Sequence, residues 1–228
     1  MSDDSSRTMD SFGVIFDVDG VLVDSYQLHF DSWRVSAKRR GWEMTEEMFS
    51  STFGQTSQTV IRKCWSDANV TEQEMSEFDD EKEELYRQMI LESFPEMRGA
   101  KQLICQLHDA GIPMAVGSSG PRPNIMTALQ FVDPNGHIRA VVSREDIQRS
   151  KPDPQVFQIA AQRLELPQPQ CVVLEDAPVG VAAAHAAGSQ CVGVLSTGRT
   201  REELSNAELL VNDLSELDVE KLRSLVSC

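Results

Sequence analysis

The chain has 228 residues, of which 40% are hydrophobic and 25% charged, with 13 glycines and 10 prolines. This balance is typical of a globular protein and excludes a disordered, collagen-like or disulfide-scaffold chain. Acidic residues outnumber basic ones by 36 to 21, which gives a formal net charge of −15. That charge argues against a nucleic acid partner, because duplex binding needs a basic face. An anionic substrate would need local positive charge at its binding site.

Residues 1–10 are polar and acidic, and they predict a disordered tail rather than a signal peptide, because they lack an apolar core. No apolar run approaches the ~18 residues needed to cross a bilayer. Five scattered cysteines form no C-x-x-C pair and fit a reducing compartment. We therefore expect a cytoplasmic protein with no membrane partner. We expect a monomer, because no long exposed apolar face stands out.

Short apolar runs alternate with helical stretches over most of the chain. The runs, typical of strands buried on both faces of a parallel sheet, lie at 13–16, 113–116, 140–142, 171–174 and 191–194. The helical stretches lie at about 99–110, 122–130, 154–164, 178–187 and 215–226. This alternation predicts a doubly wound, mostly parallel α/β sheet of the Rossmann-like kind, formed by residues 11–24 and 95–228.

The interval between the first and second predicted strands is far longer than a normal crossover. Residues 25–94 show amphipathic helical periodicity and almost no strand signal. They predict an inserted, all-helical cap subdomain, hinged near Asp24–Ser25 and Phe94–Pro95.

Polar side chains follow four of the predicted strands, and ligands of open α/β sheets bind at the carboxyl ends of strands. Taken singly, each side chain has a structural explanation as part of a turn, a helix cap or a solvated loop. Together they form a complementary set of carboxylates, hydroxyls and an ammonium, which turn chemistry alone does not explain. In strand order, the set is Asp17 and Asp19, then Ser118 and Ser119, then Lys151, then Glu175 and Asp176.

These residues resemble the four motifs of the haloacid dehalogenase (HAD) superfamily: Asp17-Val-Asp-Gly-Val-Leu-Val-Asp-Ser25, Ser118, Lys151-Pro-Asp-Pro154 and Glu175-Asp176. The resemblance covers almost the whole chain from about residue 12. The helical insertion resembles the cap of the subgroup that holds phosphoglycolate phosphatase and β-phosphoglucomutase. The resemblance implies a Mg²⁺-dependent phosphatase that hydrolyses a small phosphorylated metabolite, such as a sugar phosphate or a phosphoglycolate-like acid. Its reaction would pass through an aspartyl phosphate.

The two carboxylates of the first motif receive different roles from the resemblance and from the chemistry of phosphoryl transfer. Asp17 is expected to be the nucleophile, and Asp19 the general acid and then the general base. If the first strand continues through Val18, both project to the same side and can face one phosphate. The dehalogenases lack the second carboxylate, so Asp19 favours phosphate chemistry.

The remaining groups are expected to bind phosphate and a metal ion. Ser118 and Ser119 would hydrogen-bond phosphoryl oxygens, and Lys151 would neutralise charge on the phosphate and the nucleophile. Mg²⁺ prefers hard oxygen ligands. The expected ligands are Asp17, Asp19 through its backbone carbonyl, Asp176 and Glu175.

In the cap, His29 and Trp33 lie one helical turn apart and should share a face. Their segment resembles that of β-phosphoglucomutase, where the histidine approaches the site; the alternative is that both side chains pack the cap core. The segment Phe53-Gly54-Gln55-Thr56-Ser57 resembles the specificity loop, which makes Gly54 a candidate substrate contact.

A phosphohexomutase of the β-phosphoglucomutase type is the alternative function. In that enzyme an arginine stands at the position of Ser57 and helps hold a second phosphate. Arg62 and Lys63 could take its place, but solvated positions are the simpler interpretation. The serine therefore favours a phosphatase. A non-catalytic regulatory protein on the same fold is a third reading, which the intact set of motif residues disfavours.

Overall fold

The computed structural model describes residues 12–226, so the predicted tail lies outside the described residues. The chain forms two compact units. One unit, the core, runs up to Asp24 and continues from Glu96 onward, and the other, the cap, consists of Ser25–Pro95. None of the helices that the structure describes is long and apolar enough to span a bilayer.

The strands and helices alternate along most of the described core, as the sequence predicts, but the last two strands follow each other without a helix between them. The strands are β1 (Gly13–Phe16), β2 (Met114–Gly117), β3 (Ala140–Val142), β4 (Cys171–Glu175), β5 (Gln190–Val194) and β6 (Leu209–Val211). The helices are α1 (Tyr26–Arg39), α2 (Glu46–Thr52), α3 (Ser57–Cys64), α4 (Glu72–Glu92), α5 (Ala100–Asp109), α6 (Arg122–Val132), α7 (Gln155–Leu164), α8 (Pro178–Ala187) and α9 (Val219–Val226).

The six strands form one sheet in the order β3-β2-β1-β4-β5-β6, and every neighbouring pair is parallel. The predicted doubly wound α/β fold is therefore confirmed. The sequence prediction contains no counterpart of β6, because this strand follows β5 without an intervening helix and so does not fit the alternating pattern. The predicted helix at 215–226 begins only at Val219, and a separate 3-10 turn occupies Leu214–Glu216.

The centre of the sheet is buried on both faces, which explains its continuous apolar runs. Ile15 belongs to a hydrophobic cluster with Val173 and with Phe157 and Ala184 of helices α7 and α8. Its neighbour Val14 is fully buried as well but lies outside that cluster, as expected when alternate side chains point to opposite faces. Strand β1 is therefore held in the middle of the core.

After β1 the chain turns instead of continuing as a strand. Leu22 N donates to the Val18 carbonyl at 2.9 Å, and Gly20 N donates to the Val23 carbonyl at 2.8 Å. The expectation that β1 continues through Val18 is therefore wrong, and a folded loop positions Asp19. At the end of this loop, Val23 forms an antiparallel bridge with Glu96, so the two points where the core chain leaves and re-enters are adjacent.

The regular elements of the cap unit are helical, and α1 packs against α4. Threonine hydroxyls begin three of these helices by accepting backbone N–H groups, and Thr71 forms a reciprocal capping box with Glu74. The cap core is aromatic: Trp33 lies edge-on to Phe78 with ring centroids 5.1 Å apart, and Trp65 packs against both. This cluster gives the cap its own hydrophobic core.

Candidate active site

The sheet brings the ends of β1, β2 and β4 side by side. Phe16 is in register with Val116 on one side and with Leu174 on the other. Asp17 follows directly, and its backbone N–H donates to the Leu174 carbonyl at 3.0 Å. The residues after the three strands therefore meet at one edge of the sheet, as the strand-end argument predicts.

Asp17, Glu175 and Asp176 form a buried carboxylate cluster. Each offers one oxygen, and these oxygens all lie within 4.8 Å of one another. Their exposed fractions are 8%, 0% and 4%. Carboxylates are rarely buried without a cation or a set of hydrogen-bond donors, because desolvation penalises their charge. The cluster therefore requires compensating positive charge.

Lys151 supplies part of that charge. Its Nζ lies 3.2 Å from Asp17 Oδ1 and also donates to Glu175 Oε1. Burial alone would lower the pKa of Lys151, but the carboxylates of Asp17 and Glu175 outweigh burial and raise the pKa above its ordinary value. The ammonium is therefore a permanent cation at the end of β1.

Positive charge does not fully balance the carboxylates. Burial raises the pKa of Asp17, against the lowering effect of Lys151. Burial likewise raises the pKa of Glu175 to about 7 and that of Asp176 to about 6. Asp17 Oδ1 is buried and makes no hydrogen bond of good geometry. A hard divalent cation at this cluster would ionise the carboxylates and satisfy their oxygens, so the residues present fit a metal ion.

Two glycines make the close packing of this cluster sterically feasible. Gly20 has φ of +73°, and a Cβ placed there would lie 2.1 Å from Asp176 Oδ2. A Cβ on Gly180, in the first turn of α8, would lie 1.9 Å from Glu175 Cδ. Glu175 is further held because its Oε2 accepts the backbone N–H groups of Asp176 and Ala177, each at 2.9 Å.

The predicted phosphate-binding hydroxyls follow β2. Ser118 is buried, and its Oγ accepts the Gly120 N–H at 3.1 Å. Ser119 Oγ is buried and has no hydrogen-bond partner in the structure. A Cβ on Gly120 would lie 3.4 Å from Ser118 Oγ and 3.8 Å from Asp19 Oδ2, so the Asp19 carboxylate and the Ser118 hydroxyl flank the same small residue.

Two residues that the sequence analysis did not single out also contact the cluster. Ser196 Oγ donates to Asp176 Oδ2 at 2.8 Å, and Arg199 Nε lies 3.5 Å from the same oxygen. Both follow β5, whose end adjoins that of β4 in the sheet. The strand-end argument could have found Ser196, which lies just after β5, had it been extended to a fifth strand, but not Arg199, which lies further into the loop.

The three cap residues occupy different environments within the cap unit. Trp33 is only 4% exposed and lies in the aromatic core, which matches the packing alternative. The His29 ring stacks on Tyr86 with centroids 4.1 Å apart, and its Nδ1 lies 2.9 Å from the Nζ of buried Lys82. Gly54 is exposed, with φ of +86°.

Comparison with known proteins identifies the family. A sequence profile described as haloacid dehalogenase-like hydrolase matches residues 14–194, a span that includes every predicted core-motif residue. The chain belongs to this family. The predicted HAD membership is confirmed.

Characterised relatives are similar over nearly the full length. Hexitol phosphatase A of Escherichia coli (strain K12) is 31% identical over 212 residues, which are 92% of this chain and 94% of the relative. The β-phosphoglucomutase of Bacillus subtilis (strain 168) is 30% identical over 216 residues, 92% of each chain. A HAD hydrolase of family IA, variant 3, from Entamoeba histolytica has the same fold, with a TM-score of 0.86 at 24% identity, covering 95% of this chain and all of that one. The prediction of an enzyme of the HAD-like phosphatase type is confirmed.

Proposed function

We propose that the protein is a Mg²⁺-dependent phosphatase that hydrolyses a small phosphorylated metabolite, a sugar or polyol phosphate or a phosphoglycolate-like acid. The observation that carries the proposal is the buried Asp17 carboxylate, which lies 3.2 Å from Lys151 Nζ and within the acidic cluster. A nucleophilic carboxylate needs such a site, because phosphoryl transfer depends on positioning and on charge neutralisation more than on covalent chemistry by other groups.

The reaction divides into two displacements at phosphorus. In the first, an oxygen of Asp17 attacks the phosphorus and forms an aspartyl phosphate, while Asp19 donates a proton to the departing alkoxide. In the second, Asp19 removes a proton from a water molecule that attacks the same phosphorus. Inorganic phosphate leaves, and Asp17 regains its carboxylate. The second carboxylate of the motif is therefore needed in both steps.

The other residues hold the phosphoryl group. Lys151 neutralises charge on Asp17 and on the phosphoryl oxygens, and its contact with Glu175 keeps the ammonium in place. The hydroxyls of Ser118 and Ser119 donate to phosphoryl oxygens, and the unpartnered Ser119 Oγ is available for such a bond.

Magnesium would be held by the acidic cluster. It would supply further charge neutralisation for the phosphoryl oxygens when bound. The residues that would hold it are Asp17, Asp19 through its backbone carbonyl, Asp176 and Glu175.

The cap favours a phosphatase over a phosphohexomutase. Ser57, at the position that resembles the arginine of the mutase, donates to Asp79 Oδ1 at 2.5 Å. Arg62 is exposed and pairs with Glu72, and Lys63 donates to the Gln55 side chain at 2.9 Å. Both cations therefore already have partners within the cap, and neither is positioned to bind a second phosphate. The mutase remains the second candidate, because a β-phosphoglucomutase is among the similar relatives.

We also propose a monomeric protein of the cytoplasm, without a nucleic acid or membrane partner. The four cysteines that the structure describes are free thiols, and two of them, Cys171 and Cys191, are buried in the core. Free thiols fit a reducing compartment. The net charge of −15 disfavours binding to nucleic acid.

The test is release of inorganic phosphate from a panel of hexitol phosphates, sugar phosphates, phosphoglycolate and nucleotides, with Mg²⁺ and with chelator. Asp17→Asn should lower the rate by at least about a thousandfold, because it removes the nucleophile. Asp109→Asn is the matched control, since Asp109 is an exposed aspartate at the end of α5. It should retain wild-type activity.

A second assay separates the two candidate functions. β-Glucose 1-phosphate is supplied with a bisphosphate primer, and glucose 6-phosphate and free phosphate are measured. Net isomerisation with little phosphate release would establish the mutase. Full activity of Asp17→Asn on any substrate would refute both, because both need the same nucleophile.

A further inference from the structure

Arg199 places a second cation at the acidic cluster. It lies beside Asp176, whereas Lys151 lies beside Asp17 and Glu175. Its Nε lies 3.5 Å from Asp176 Oδ2, and its side chain is only 9% exposed. A guanidinium is protonated at every physiological pH. Asp176 thus carries a permanent cationic neighbour that belongs to the protein.

The loop after β5 holds Arg199 in this position. Arg199 N donates to the Ser196 carbonyl at 3.1 Å, which closes a turn. Ser196 Oγ donates to Asp176, and Thr197 Oγ1 donates to Asp24 Oδ2 at 2.9 Å. Because the loop is attached at both points, the guanidinium remains near the carboxylate rather than following a free loop into solvent.

The charge balance of the acidic cluster indicates the effect of Arg199. The three clustered carboxylates, Asp17, Glu175 and Asp176, face two protein cations, Lys151 and Arg199. With the three carboxylates ionised, as a bound metal requires, they exceed the two protein cations by one negative charge. Without Arg199 the excess would be two, and the cluster would attract a divalent ion more strongly, since little water screens charges at this depth.

We propose that Arg199 is a built-in counterion of Asp176, which stabilises the acidic cluster when no metal is bound and lowers its affinity for magnesium. This inference rests on the proposed magnesium site. It assigns Arg199 an electrostatic role that acts through Asp176 and does not place it among the catalytic residues. The hydrogen bond from Ser196 is neutral, so Ser196 orients Asp176 without opposing the metal.

In the test, MgCl₂ alone is titrated into the chelator-treated full chain, and isothermal titration calorimetry measures the affinity. Arg199→Gln should bind Mg²⁺ at least about tenfold more tightly than the wild type, a gain of ~1.4 kcal/mol. Arg199→Lys keeps the positive charge and should bind within about threefold of the wild type. Arg201→Gln, an exposed arginine two residues away, is the matched control and should leave the affinity unchanged.

Urea unfolding gives the second readout. Arg199→Gln should be less stable than the wild type in chelator, and saturating Mg²⁺ should narrow the difference by mass action. Equal losses with and without metal, together with unchanged affinity, would show a purely structural role and overturn the inference. Weaker binding by Arg199→Gln would overturn it too, since the guanidinium would then orient the ligand.

The outcomes also separate this inference from the proposed function. If the wild type binds no Mg²⁺ at millimolar concentration, the magnesium site fails and the counterion role fails with it. If the wild type binds Mg²⁺ and Arg199→Gln binds no more tightly, only the counterion role fails. Should Arg199→Gln not fold, Arg199→Lys still decides, because a tenfold change of affinity with the charge retained would contradict the charge argument.

Discussion

Replacing Gly180 by alanine tests whether the buried carboxylates depend on the backbone of α8. Gly180 lies in the first turn of that helix, and an added Cβ would lie 1.9 Å from Cδ of Glu175 and 2.0 Å from its Oε1. The carboxylate cannot move aside freely, because it is fully buried and bonded to Lys151 and to two backbone N–H groups. Either the helix start or the carboxylate must shift.

Two opposing effects set the magnitude. Alanine in place of glycine within a helix normally stabilises a protein by about 1 kcal/mol. Overpacking costs about 1–3 kcal/mol, and disturbing the hydrogen bonds of a buried charged group costs about 1–3 kcal/mol more. The steric and polar effects together outweigh the helix propensity. We expect Gly180→Ala to lower the free energy of unfolding by about 2 kcal/mol or more.

Urea unfolding in chelator, with fluorescence detection, measures this change, and calorimetry measures Mg²⁺ binding by the same variant. Val179→Ala is the control on the adjacent residue, which is 39% exposed and should change stability by no more than about 0.5 kcal/mol. If Gly180→Ala is as stable as the wild type and binds Mg²⁺ equally well, the close packing of Glu175 against α8 is not a constraint. The reasoning would then be refuted.

Three further changes test separate parts of the molecule. Lys151→Met should lower the free energy of unfolding, measured with urea in the presence of chelator, by about 3–5 kcal/mol, because it leaves buried carboxylates without their cation. Stability equal to that of the wild type would contradict this. Trp33→Ala should lower the free energy of unfolding by about 3–5 kcal/mol, because it truncates a side chain of the cap core. An unchanged melting temperature would show that Trp33 does not contribute to that core. Arg163 hydrogen-bonds Asp146 and, with Ser143, lowers the pKa of Asp146 to about 2. Because the folded-state pKa of Asp146 is depressed, its ionised carboxylate stabilises the folded protein fully above about pH 4. This stabilisation is lost as the pH falls towards 2. Asp146→Asn should therefore be less stable than the wild type by about 1 kcal/mol near pH 6, after allowing for solvent screening, and by less near pH 3; a difference independent of pH would contradict this.

The core and most of the candidate site could be predicted from the sequence because their signals are local. Each buried strand is a continuous apolar run, and Asp17, Ser118 and Glu175 come at or directly after a strand end. Parallel pairing then brings those ends together without further information. Lys151 lies in an irregular loop after β3, so the strand-end argument could name it as a candidate but could not place its ammonium against Asp17 and Glu175.

The features that could not be predicted depend on tertiary structure. Arg199 reaches Asp176 only through the shape of the loop after β5, and no spacing within that loop indicates the contact. The folded loop after β1, rather than a continued strand, results from hydrogen bonds to Val18 and Val23. Strand β6 follows β5 without a helix between them, so it does not fit the alternating pattern and is recognised by its pairing with β5.

The division of the chain between the two units also sets an order in which they can form during synthesis. Ser25–Pro95 is one continuous stretch, so the aromatic core of the cap can assemble as soon as that stretch is made. Strand β1 is made earlier, yet its partners β2 and β4 follow about 100 and 160 residues later. Asp17 is therefore among the first residues of the site to be translated, and it acquires its environment only when Asp176 has followed. A nascent chain released before that point would contain the whole cap segment but not the complete active site.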